Sequence, residues 1–334
     1  MLKKELNMNR KNYDLVDLSK FILAILVVSI HAGVPVAGLF GRLAVPYFFI
    51  VSGYFYFKKY NLLTDGSVKL KSFVAYSKRI AILLFVWTAM YLPLIAYKFY
   101  LSGNFSIVKV GFLTIMGRLP GFEVAWYLSA SILGLGILLL MVHFMGAKLT
   151  FGITILFELF FIALCGYHGI LVQWNEAFDS GLINILAFTF VRSWFYLMVG
   201  YWLSIYIDEI KQNLVLPIVP ILCVFLLEFV VISKYETGYG GPGTVEFFGV
   251  PVLATCVAIV TLKSNFKVRN TATLRRLSTF IYLSHFAVLN LIAIISEMFL
   301  NIGPSWVSWI VATVLVIAVY FILSPQKKVI SLLV

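Results

Sequence analysis

The feature that most constrains this chain is the recurrence of apolar stretches about 20 residues long, the length a helix needs to cross the hydrocarbon core of a bilayer. They fall near residues 15–37, 42–57, 80–100, 125–145, 150–170, 182–206, 214–233, 246–262, 278–299 and 305–324. The expected fold is all-α: a polytopic integral membrane protein with about ten transmembrane helices. The second and eighth stretches are short and require tilt or a break.

Composition agrees. The chain of 334 residues is 62% hydrophobic and 12% charged, whereas a soluble domain is about half apolar and a quarter charged. Residues 1–14 read as a cytoplasmic segment, 15–324 as one transmembrane domain and 325–334 as a cytoplasmic tail, with no room for a separate soluble domain. The net charge of +12 does not indicate nucleic acid, because the basic residues sit in short loops between apolar segments. Cys165, Cys223 and Cys256 lie within apolar segments without metal-ligand spacing, so buried thiols and no metal are expected. The basic, then apolar, amino terminus looks like a signal peptide. A second apolar run follows almost at once and no small-x-small site separates them, which favours an uncleaved first span.

Orientation follows from Lys and Arg. With the amino terminus inside, nineteen of the 26 are cytoplasmic: Lys3, Lys4, Arg10, Lys11, Lys58, Lys59, Lys69, Lys71, Lys78, Arg79, Lys148, Lys211, Lys263, Lys267, Arg269, Arg275, Arg276, Lys327 and Lys328. Five lie outside: Arg42, Lys98, Lys109, Arg118 and Lys234. The expectation is a multi-pass cell-membrane protein with both termini in the cytoplasm.

Lys20 and His31 stand inside the first span, eleven residues apart. Ionisable groups at membrane depth are costly and usually face a cavity. About three helical turns return the two to one face, roughly 16 Å apart along the axis. Asp17 precedes Lys20 by three residues and can pair with it. The bland alternative has Lys20 snorkelling to the interface and His31 bonding a carbonyl. A neutral imidazole suits an apolar site and is the usual general base near neutral pH. No Ser–His–Asp arrangement stands out, so a His acting directly on a bound hydroxyl is the economical reading.

The segment GRLAVPYFFIVSGYFYFKK (41–59) follows the Lys-x10-His pattern, and EVAWYLSASIL (123–133), VRSWFYLMVGYWL (191–203) and STFIYLSHFAVL (278–289) follow in order. Together they resemble the acyltransferase-3 family over about residues 13 to 324. The resemblance implies O-acyl transfer, usually acetyl, from cytoplasmic acetyl-CoA or another acyl-CoA to a hydroxyl outside the membrane, commonly on a cell-surface or secreted glycan. It matches His31 to the family's catalytic His and Lys20 to its basic partner. Lys in place of the commoner Arg removes a bidentate contact. Arg275 and Arg276, with Lys263, Lys267 and Arg269, form a basic loop suited to the phosphates of CoA, or equally to simple positive-inside anchoring.

Other residues carry less. Arg192 lies within the sixth span and needs a partner, with Glu123, Glu158 or Glu246 available. Tyr282 and His285 are one turn apart near the cytoplasmic start of the ninth span, where His285 reads as structural. Ser52 and Gly53 suit close helix packing. TGYGGPGT (237–244) lacks the ending of a phosphate loop. His143 and His168 read as span-end residues. A homo-oligomer is compatible with the sequence. The competing function is a membrane transporter for a small polar solute such as an amino acid, using the same intramembrane polar groups. No inverted repeat and no paired broken helices support it.

Overall fold

The computed structural model describes residues 13–103, 105–167, 170–171, 190–210, 215–235, 247–299 and 305–334. Lys211, His168, Glu246, the 237–244 loop and the basic residues before Tyr13 lie outside the described residues.

The described elements are helical, with no strand among them. In chain order they are α1 (Asp14–His31), α2 (Pro35–Gly41), α3 (Ala44–Tyr60), α4 (Gly66–Ser102), α5 (Ile107–Met116), a 3-10 turn (Glu123–Ala125) and α6 (Trp126–Phe161). After these come α7 (Ser193–Tyr206), α8 (Val215–Tyr235), α9 (Gly249–Lys263), α10 (Thr271–Phe299), α11 (Trp306–Leu323) and α12 (Lys327–Leu333). Among the described residues, five helical segments are long and apolar enough to cross a membrane: Pro35–Tyr60, Gly66–Ser102, Glu123–Gly166, Thr271–Ser296 and Trp306–Leu323. Phe85, Phe144 and Ile322 point outward at 75%, 79% and 72% exposure. So much apolar surface is at home in lipid and not in water.

The departures from the expected spans have local causes. α1 is 18 residues long but carries Asp14, Asp17 and Lys20. α9 has 15 residues, about 22 Å of helix, which falls short of the bilayer core. α6 has 36 residues, about 54 Å if straight. Its backbone leaves helical geometry at Gly146 (φ 77°), the boundary between the expected spans at 125–145 and 150–170, in a region of φ that glycine adopts without strain. α4 begins well before the expected residue 80 because Asp65 caps it, accepting a hydrogen bond from Ser67 N at 2.6 Å. The carboxylic tail is not free: Ile330 and Leu333 are buried, and Trp87 Nε1 donates to Leu333 O at 3.1 Å. Cys223 is exposed and Cys165 and Cys256 are half-buried, so the expectation of three buried thiols fails. An apolar face turned to lipid and one turned to the core look alike in sequence.

α3 occupies the centre, with Tyr47, Phe49, Ile50, Val51, Tyr54 and Phe57 almost fully enclosed. It packs on α7 backbone to backbone. A Cβ on Gly53 would lie 2.8 Å from Leu197 O, and one on Gly200 would lie 2.6 Å from Tyr54 N. Gly53 thus has the packing role expected of it. Gly200→Ala should cost about 1–3 kcal/mol, because the clash is with main chain that cannot rotate away. The measurement is the melting temperature in detergent. Gly66→Ala, with nothing within 4 Å of its Cβ, is the control and should melt like the parent.

Candidate active site

α1 and α10 pack side by side, and polar groups meet at both ends of their contact. At the first end, Asp17 accepts two hydrogen bonds from Arg275, from Nε at 2.9 Å and from Nη2 at 2.6 Å. The sequence offered Lys20 as the partner of Asp17. The fold supplies a bidentate guanidinium instead, a better geometric match to a carboxylate. Lys20 remains an electrostatic neighbour of Asp17, and Arg275 and Arg79 of α4 are its other charged neighbours. Asp14 accepts from Val268 N at 3.0 Å, tying the loop before α10 to the base of α1.

The basic loop therefore divides. Arg275 belongs to the ion pair with Asp17. Lys263 donates to Ile207 O at 3.2 Å and to Ile210 O, satisfying carbonyls at the end of α7. Arg276 lies near Tyr320 of α11. Arg79 was not singled out in the sequence, where it is one of several loop cations.

At the other end stands His31, the last residue of α1. The residue is exposed, with two rings of α10 against it. Phe286 meets it edge-on at 5.1 Å and His285 lies 5.2 Å away, ring centre to ring centre. His285 is fully buried, with Nδ1 3.0 Å from Ile281 O. Because α10 starts at Thr271, His285 is about 21 Å along the helix, well past its first turns. Sequence reasoning read His285 as structural and did not foresee its nearness to His31. The histidine of the STFIYLSHFAVL segment was the available signal.

From this pair a chain of ring contacts leads across the protein. Tyr282 lies 6.1 Å from His285 and 5.3 Å from Tyr127, and its hydroxyl donates to Val124 O at 3.3 Å. Tyr127 packs on Phe49 at 4.7 Å, and its hydroxyl is 3.4 Å from Ser52 Oγ. Phe49 meets Trp126 at 6.1 Å, and the Arg192 guanidinium sits over Trp126 at 5.6 Å. Of the expected partners of Arg192, Glu158 accepts a hydrogen bond from Tyr196 at 2.7 Å and Glu123 accepts one from Gly121 N at 3.0 Å. His31 and residues from the four separated motifs thus join in one contiguous region. His143 is remote from it, lining an apolar groove of about 920 Å³ with Tyr60, Lys69 and Phe73.

A basic residue near one end of a helix, an accessible imidazole at the other and an aromatic wall between distant segments can bind a polar substrate and take a proton from it. No curated protein and no solved structure matches the chain. The family model described as an acyltransferase domain matches residues 13–325. Because that match covers essentially the whole chain of 334 residues, the chain belongs to the acyltransferase-3 family.

Proposed function

We propose that this membrane acyltransferase is an O-acetyltransferase, moving an acetyl group from cytoplasmic acetyl-CoA to a hydroxyl of an extracytoplasmic acceptor, a cell-surface or secreted polysaccharide. The observation that carries the proposal is the placing of Lys20 and His31 on one helix, with His31 exposed beside His285 and Phe286 of α10. In this reading the chain makes ten passes, keeps both termini in the cytoplasm and turns the Asp17 end of α1 inward. The donor enters from that end, where Lys20, Arg276 and, beside its ion pair, Arg275 offer positive charge to the phosphates of CoA.

His31 is the general base. As the acceptor oxygen attacks the thioester carbonyl, the hydroxyl proton passes to an imidazole nitrogen of His31. The C–S bond breaks and the departing thiolate takes up that proton, so an ester and the free thiol of CoA result.

Purified protein in lipid should transfer labelled acetyl from acetyl-CoA to a glycan acceptor. Uptake of a polar solute without acetyl transfer would favour the transporter reading. For topology, single cysteines near Ser67 should react only with reagents from the cytoplasmic side, and cysteines near Gly240 only from outside. The opposite pattern would reverse the direction of transfer.

A further inference from the structure

A buried imidazole needs both nitrogens accounted for. A carbonyl oxygen only accepts, so the contact with Ile281 O puts the proton of neutral His285 on Nδ1 and leaves a lone pair on Nε2. That Nε2 is buried and has no hydrogen-bond partner among the described residues. Buried acceptors without donors are rare enough to ask what they await. Of the polar side chains whose rings meet His285, Tyr282 has its hydroxyl committed to Val124 O, and His31 is nearer, its ring tilted by 35°.

The turn of α10 that carries His285 is held from outside. Tyr91 of α4 donates its hydroxyl proton to Leu283 O at 2.7 Å and accepts from Ala287 N at 2.9 Å. Those two groups are the ends of one i to i+4 rung, and His285 lies midway between them. A hydroxyl bridging a rung bends or opens a helix locally. The Tyr91 ring is itself buried and stacked on Phe122, with ring centres 4.1 Å apart. Phe122 directly precedes the turn whose Val124 O receives the Tyr282 hydroxyl. The segment from Tyr282 to Ala287 is thus clamped at three points, by its own helix, by α4 and by the turn before α6.

We propose that His285 is a positioning residue for His31, held in register by Tyr91. Nε2 of His285 accepts the N–H of His31 when the acceptor substrate is bound. This selects one tautomer of His31 and leaves its other nitrogen bare towards the substrate hydroxyl. It also stabilises the imidazolium while His31 holds the proton, and His285 keeps its own Nδ1 proton throughout. The arrangement repeats with an imidazole the work a carboxylate does in a Ser–His–Asp triad. Contacts of this kind commonly tighten only when substrate is bound. The proposal rests on the reading of His31 as general base.

The test combines nitrogen NMR of the full chain in nanodiscs, with 15N-labelled histidine, and steady-state acetyl transfer. In the parent protein with acceptor glycan bound, His31 should show one dominant neutral tautomer. His285→Phe should mix the tautomers and lower kcat at least about tenfold with KM unchanged. His285→Gln presents an amide oxygen that can accept, and should recover most of that loss. Tyr91→Phe, which keeps the ring and removes the bridge, should give an intermediate loss with the same mixing. Two equal tautomers in the parent would overturn the proposal, as would an unchanged kcat in folded His285→Phe. The tautomer is read without turnover. A fixed tautomer in a protein that never transfers acetyl would therefore remove the enzymatic reading and leave the pairing intact. Inactive His31→Gln beside fully active His285→Phe would remove the pairing alone.

Discussion

His31→Gln should lower acetyl transfer by about a hundredfold to ten-thousandfold, the usual loss when a positioned general base is removed, while expression, insertion and donor binding persist. Glutamine keeps the approximate size of the side chain and its hydrogen-bonding capacity but cannot take up a proton near neutral pH. The structure gives little reason for collateral unfolding. His31 ends its helix with an accessible ring and contacts Phe286 and His285 through ring faces and edges. Lys20→Ala should behave differently, impairing donor use or the packing at the base of α1, while Lys20→Arg should be partly tolerated. The decisive assay is labelled acetyl transfer by monodisperse His31→Gln protein. Transfer near the parental rate would take His31 out of the chemistry.

Arg275→Ala should destabilise the protein by roughly 2 kcal/mol. The full loss for a buried pair is about 3–5 kcal/mol, reduced here because the Arg275 side chain is 62% exposed while that of Asp17 is 7% exposed. Truncation leaves the Asp17 carboxylate buried, with Lys20 as its remaining nearby cation on α1. Adding Asp17→Asn to Arg275→Ala should therefore restore part of the loss, and Arg275→Lys should fall between parent and Ala because it cannot make both hydrogen bonds. Arg276→Ala should leave the melting temperature unchanged. Thermal melting of the four variants in one detergent reads these outcomes, and parental melting of Arg275→Ala would show that the pair holds nothing together. Because Arg275 has this structural task, the donor-binding role of the loop is better tested with Arg276→Ala. Weaker acetyl-CoA affinity in that variant would support phosphate binding, and unchanged affinity would leave Arg276 as an anchor.

Hydropathy and helical period are local quantities, and what depends on them was legible in the sequence. The membrane class, the all-helical fold and the stripe of Asp17, Lys20 and His31 on the first helix all follow from residues within a few turns of one another. The family was legible too, because its four motifs are short and keep their order. Helix ends that depend on caps and bends were less so: the early start of α4 at its Asp65 cap and the break at Gly146 rest on backbone geometry that hydropathy does not report. Partners were the part that only the tertiary structure decided. Asp17 takes Arg275, 258 residues away, in preference to Lys20 one turn along its own helix. His31 meets His285, and Tyr91 reaches across to the rung that holds it. Such contacts are fixed by how helix faces pack, and no local periodicity encodes which face will meet which.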